Sequence, residues 1–275
     1  MRSALVVALA TALVAANPPA RAQTTGMGSI KGHVRFTGKH PGNAIIRMGA
    51  DPLCAKLNSG KRVVQETVAS TVDGSLANVF VRLQGPFPKA AVPSQPVSIN
   101  QMGCVYEPRV VGVVVGQTLQ VRNSDDLLHN VHGLSVKGNS FNVSEPKAGM
   151  VQQFKMKDEE VMLRLKCDVH SWMVAFIGVV TSSYFAVSDR AGMFEIASVP
   201  PGSYSIQAWH ERYGPVVQTV RVRAGAPSTV DFSYTGNEPA PSVRLEDLTL
   251  PADVSAVTFV RWSPSGPPPD LRSAR

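Results

Sequence analysis

The chain has 275 residues, room for two small domains, and carries three cysteines, six histidines and a formal charge of +7. Its basic residues are scattered, with Lys155/Lys157 and Arg221/Arg223 alternating along strands, so they form solvated faces and exclude a nucleic-acid stripe. No Ser-His-Asp order, Gly-rich phosphate loop or paired-carboxylate constellation stands out, which leaves an enzyme little to rest on.

Residues 1–22 have the form of an export signal: Arg2, an apolar stretch from Ala4 to Ala16, and Ala20-Arg21-Ala22 as a small-x-small cleavage site. Gln23 is then the expected first mature residue. With no cysteine after the cut a lipid anchor is not expected, and no later segment approaches the roughly 20 apolar residues of a membrane span. The expectation is an exported protein, soluble outside the cytoplasm.

Helical periodicity is nearly absent from there on. Short alternating runs rich in Val, Ile, Thr and Phe, bounded by Gly, Pro, Asn or Asp, recur at Ser29–Phe36, Asn78–Leu83, Val110–Val115, Val161–Lys166 and Val174–Val180. That is the pattern of antiparallel sandwiches, and an all-β chain is predicted. Gly28–Phe36 has two readings, as the first strand of an N-terminal domain or as a partner of a C-terminal one, since Greek-key folds join distant segments. The stretch from there to Val110, with Pro86, Pro88, Pro93 and Pro96, looks like an elaborated loop and strand region.

The alternating run Thr118–Arg122 leads into Leu128-His129-Asn130-Val131-His132, and Cys167-Asp168-Val169-His170-Ser171-Trp172-Met173 follows downstream. The second segment sets a thiol, an imidazole and a thioether at three-residue steps, the soft donors that select copper over harder metals. A trigonal site needs one more imidazole. His129 is preferred for it, because His132, three positions on in a continuing strand, points to the opposite face. The expected site is one mononuclear type-1 copper on His129, Cys167 and His170, with a long axial bond to Met173. Asn130 is placed to steady the ligands from behind. A structural zinc would want paired clusters, and the only other histidine pair is His129/His132. The remaining alternative treats Cys167 and Met173 as ordinary interior residues. Three cysteines in an exported chain leave one over; with Cys167 on copper, Cys54 and Cys104 are expected to form a disulfide.

From Tyr184 the texture changes. Phe185-Ala186-Val187, the Asp189-Arg190-Ala191-Gly192 turn and Met193-Phe194-Glu195-Ile196 predict a hairpin. Val199-Pro200-Pro201-Gly202 then forces a bend before another alternating strand. At the end of that strand His210 and Glu211 face opposite sides and do not converge on a substrate atom, so His210 is read as structural. After Tyr234, Pro, Gly, Ser and Ala dominate up to Gly266-Pro267-Pro268-Pro269, predicting an extended tail in which Val254–Trp262 serves as an edge strand or a docking segment.

Cys-x2-His-x2-Met with a distant His-Asn resembles the ligand pattern of the small blue copper proteins, the cupredoxins, with the spacing of amicyanin's short ligand loop. The likeness extends over about Val110 to Val180, where Val113-Val114-Val115-Gly116-Gln117-Thr118-Leu119-Gln120-Val121-Arg122-Asn123 resembles the strand, turn and strand before the first histidine. It implies a Greek-key β-sandwich over residues 27–183, with copper near one end. Tyr184 to Tyr234, with its G-x-F and V-P-P-G-x-Y succession, is similar to the carboxypeptidase-regulatory or transthyretin-like module, a small β-sandwich placed at 184–235 ahead of a Pro-rich tail, 236–275. Such modules carry no catalytic residue. The whole resembles bacterial proteins labelled methylamine-utilisation or plastocyanin-like. What the resemblance implies is a periplasmic or secreted carrier of single electrons, exchanging them with a protein such as a c-type cytochrome, a dehydrogenase or an oxidase; a mildly basic surface suits an acidic partner. The alternatives are a copper delivery protein with the same ligands and a metal-free binding scaffold. Oxygen-reducing copper oxidases need more histidines than six.

Overall fold

The computed structural model describes residues 26–239. The expected export signal, Gln23 and residues 254–262 of the tail lie outside them. The chain runs through β1 (Gly28–Phe36), a helix α1 (Pro52–Leu57), β2 (Phe80–Gln84), β3 (Val97–Gln101), β4 (Tyr106–Glu107), β5 (Val110–Val114) and β6 (Thr118–Asn123). Next come β7 (His129–Leu134), β8 (Phe141–Glu145), β9 (Val151–Lys155), β10 (Glu160–Lys166) and β11 (Val174–Val180). The last six are β12 (Phe185–Val187), β13 (Met193–Val199), β14 (Gly202–His210), β15 (Gly214–Val222), β16 (Pro227–Thr229) and β17 (Phe232–Tyr234). The protein is all-β, and among the described residues no helix is long and apolar enough to cross a membrane.

Two sandwiches follow from the pairing. In the first, the sheet β5-β11-β10-β7-β8 lies over β4-β3-β6-β9, and the shared core takes Val113, Val131, Leu165 and Ile177 from one and Ile99, Leu119 and Val121 from the other. In the second, β13-β1-β16, with β17 also on β1, packs against β12-β2-β14-β15 around Ile30, Val34, Phe194 and Phe232 on one side and Val81, Leu83, Ile206 and Val220 on the other. Alternation explains the choice of face: Gly28, Ile30, Gly32, Val34 and Phe36 are the buried positions of β1.

Strand pairing divides the chain differently from the linear boundary at 183/184. β1 is central in one sheet of the second sandwich, between β13 and β16, and β2 is central in the other, between β12 and β14. Residues 184–235 alone lack the middle strand of both sheets, and unpaired edges are what a sheet cannot leave inside a fold. The expected hairpin is also corrected. The turn forms, with Asp189 Oδ1 accepting from the backbone N–H of Ala191 and Met193 at 2.9 and 2.8 Å, but β12 pairs with β2 and β13 with β1. The turn therefore carries the chain from one sheet to the other. Phe185, stacked on Phe80 at 5.7 Å, keeps β12 beside β2.

The sandwiches meet where β5 and β11 turn their outer faces to β2 and β12. Val110, Val180, Phe176 and Phe185 gather around Phe80 there. Gly112 and Gly178 are register partners, and a Cβ on Gly178 would stand 2.4 Å from the Phe80 ring, so this pair forms the slot the ring occupies. Burial on both faces makes Val174–Val180 a nearly continuous apolar run instead of an alternating one. Arg109, just before β5, holds Glu211, just after β14, through both oxygens at 2.5 and 2.8 Å.

Candidate metal centre

At one end of the first sandwich, β10 pairs with β7 and with β11, so the start of β7 and the β10–β11 connection lie together. That connection is residues 167–173, the predicted ligand loop. The loop's shape is set by its own backbone: Met173 N–H donates to the His170 carbonyl at 2.9 Å, and Cys167 N–H to the Met173 carbonyl at 3.2 Å. Met173 and His129 are fully buried, and His170 is 1% exposed. His132 turns outward as strand parity requires, its Nδ1 lying 3.0 Å from the Asp168 carboxylate near the surface.

His129, Cys167 and His170 each bring one donor atom into a group whose members all lie within 4.8 Å of one another. The two Nδ1 atoms are 3.2 Å apart, and Cys167 Sγ is 3.7 Å from His170 Nδ1. Metal–nitrogen bonds of about 2.0 Å and metal–sulfur bonds of about 2.3 Å would subtend these separations at roughly 105° and roughly 120°, so each of these two pairs can share one ion. Met173 shares the same core and closes the loop below them.

The electrostatics favour deprotonated sulfur. Burial pushes the Cys167 thiol up, but His129 and the backbone N–H groups of His170, Asn130 and Val169 together outweigh it and hold the thiol below its ordinary value. Burial pushes His129 down, and Asp125 and Cys167 overcome that and raise it. The expected steadying residue, Asn130, accepts the Asp168 N–H on Oδ1 at 3.1 Å and donates to Asn142 at 2.6 Å, which ties β7 to the ligand loop and to β8.

The outer nitrogens have partners that the sequence did not single out. Asp125 Oδ2 lies 2.9 Å from His129 Nε2, and Asp51 Oδ2 lies 3.0 Å from His170 Nε2. Cys54 and Cys104 are joined in a disulfide, and Cys54 Sγ stands 3.5 Å from His170 Nε2. Asp51-Pro52 is recognisable as a helix start, a signal that does not point to a histidine 119 residues away, and Asp125, four residues before His129, carries no motif that marks it as that ring's partner. Trp172 donates from Nε1 to the Cys104 carbonyl at 2.9 Å, and with Met173 it lines an open cleft of about 630 Å³. Of the remaining histidines, His210 sits at the end of β14 with Nδ1 accepting the Arg212 N–H at 3.2 Å, a structural place as expected.

Residues 175–235 match the family described as Carboxypeptidase regulatory-like domain, which covers β11 through β17. No curated protein matches the chain. Among solved structures, the chain is similar to a purple cupredoxin from Nitrosopumilus maritimus, with 22% identity, a TM-score of 0.27, and coverage of 30% of this chain and 98% of that one. It is similar also to a variant of amicyanin in its Cu(I) form, at 19% identity, TM-score 0.28, and 36% and 97% coverage. A copper-containing nitrite reductase from Thermus scotoductus gives 21% identity, TM-score 0.29, and 36% and 25% coverage. At such TM-scores these likenesses assign no ligand, and the centre rests on the distances above.

Proposed function

We propose that the protein is an exported type-1 copper protein that carries single electrons between redox partners and catalyses no reaction of its own. His129 and His170 through Nδ1, Cys167 through Sγ and Met173 through its thioether are the residues that would hold the ion. The observation that supports this most is the meeting of two Nδ1 atoms and one thiol sulfur in a buried pocket at the spacing a single ion requires.

Bound copper would supply a one-electron change between Cu(I) and Cu(II). The protein's own part is to resist rearrangement. The loop bonds Met173 to His170 and Cys167 to Met173, Asn130 fixes Asp168, and the apolar core of Val131, Leu165 and Ile177 excludes water beneath the donors. Donors so fixed and buried favour retention of the ion over delivery to an acceptor. The second sandwich acts as a scaffold bonded to the first through Phe80 and Arg109–Glu211. A periplasmic site of action and a c-type cytochrome, dehydrogenase or oxidase as partner complete the reading.

Addition of Cu(II) to the purified mature chain tests it. The expected outcome is one equivalent bound, an intense visible band from thiolate-to-copper charge transfer, and a spin-resonance spectrum of a copper–thiolate site. A colourless Cu(II) complex would end the reading.

A further inference from the structure

We infer that Asp51 and Asp125 are positioning residues for the metal centre, each fixing one ligand imidazole through its Nε2–H, and that the Cys54–Cys104 disulfide ties the two carboxylates into one frame. The inference rests on the copper reading for its effect on the ion, and on the protein's own geometry for the anchoring.

An ionised carboxylate only accepts, so the imidazole nitrogen beside it must carry the proton. With Nε2 of His129 at 2.9 Å from Asp125 and Nε2 of His170 at 3.0 Å from Asp51, both rings are held with the Nδ1 lone pairs turned to the same point, the point Cys167 faces. Each carboxylate is itself immobilised. Asp125 takes the backbone N–H of Gly103 and Cys104, both at 2.8 Å. Asp51 uses Oδ1 to cap α1, accepting from Leu53 and Cys54 at 2.8 and 3.1 Å, and this leaves Oδ2 for His170. A helix cap alone needs one oxygen, and the second is spent on the histidine. The segments that orient the carboxylates, α1 and the turn at Gly103-Cys104, are the two that the disulfide joins.

Three consequences separate this arrangement from a simple packing contact. Neither imidazole presents an edge to solvent, because His129 and His170 are 0% and 1% exposed. Two carboxylates and a thiolate around one ion favour its higher charge, so the frame stabilises Cu(II) more than Cu(I). Carboxylate partners of this kind are worth 10- to 100-fold in metal affinity when removed.

The test compares the wild type with D51N and D125N. Asparagine caps a helix as well as aspartate does and keeps an acceptor oxygen, so each change removes charge and spares shape. Cu(II) and Cu(I) are titrated separately. The expected result is that each variant loses at least about tenfold more Cu(II) affinity than Cu(I) affinity, raising the reduction potential by about 59 mV per tenfold difference. An unchanged ratio of the two affinities would overturn the inference. A second measurement needs neither variant nor metal: side-chain nitrogen NMR of the metal-free wild type should find Nε2 protonated on both rings. A bare Nε2 on either ring overturns the anchoring whatever the copper result, whereas two protonated Nε2 atoms in a protein that binds no copper uphold the anchoring and sink only the copper reading.

Discussion

Each sandwich buries histidine, and the two treat it in opposite ways. In the second, His210 is 1% exposed and stacks on Tyr213 at 4.8 Å beside Tyr234; burial first, then the Arg109 and Arg212 charges, lower its pKa to about 4. In the first, His129 is fully buried yet raised, because Asp125 and the Cys167 sulfur overcome the burial. Burial alone makes a neutral core histidine. Burial with a carboxylate at one nitrogen and a thiol near the other makes an oriented imidazole, its Nε2 held by Asp125 and its Nδ1 turned toward the sulfur, and orientation is what a metal centre needs.

The largest break in this comparison comes from Cys167→Ser. It should remove the charge-transfer band completely while leaving the second sandwich folded, as optical spectra and near-UV circular dichroism will show; a band that persists refutes the ligand set. Next, replacing Cys54 and Cys104 together by alanine reopens a loop with a sequence separation of 50. The chain-entropy estimate is a loss of about 4 kcal/mol, read by denaturant unfolding of the metal-free protein. The same pair should also weaken copper binding, since both carboxylates lose their common brace. A core change in the other sandwich, Ile206→Ala, should cost about 3 kcal/mol and leave the copper spectrum untouched; a shifted spectrum would mean that the sandwiches are not independent in this respect.

Acid should separate the two histidine environments. An unfolded His210 takes a proton near its ordinary 6.5, whereas the folded ring resists until about pH 4. Its contribution is therefore fully present above pH 6.5, falls as the pH drops and levels off below about 4, a total of about 3 kcal/mol at 1.36 kcal/mol per pH unit. His210→Phe keeps a stacked ring and should flatten that limb of the stability–pH curve. His129 runs the other way in the metal-free protein: its raised pKa stabilises below the unfolded value, and the gain is lost as the pH rises through the folded one. The smallest effect belongs to His132→Ala, which should change stability by less than about 0.5 kcal/mol and leave copper stoichiometry at one. Loss of copper there would move the ligand assignment from His129.

Much of this was legible in the sequence. Alternation in Ser29–Phe36, Thr118–Arg122 and Val161–Lys166 marked strands because each has one dry face. The meeting of His129, Cys167 and His170 was readable from donor type and strand parity, and the disulfide from an odd count of cysteines. What sequence could not supply was pairing over distance. β1 sits beside β13, β16 and β17, and nothing in Gly28–Phe36 distinguishes those neighbours from strands of the other sandwich. The hairpin failed for the same reason, since a good turn at Asp189 fixes the reversal and not the partner. Asp51 escaped notice because a capping aspartate looks the same whether its second oxygen meets water or His170.

The chain threads the two sandwiches alternately: β1, then α1 with Cys54 against the metal end, then β2, then β3 through β11, then the rest. No single cut liberates an intact half. As synthesis proceeds from the N-terminus, the earliest strand idles until its parallel neighbours arrive, with the His33–Asp231 bond closing 198 residues. Strands β5 through β11 lie nearer one another in the chain than β1 does to its partners, and closure over so long a separation is slow and leaves β1 open to mispairing in the interval.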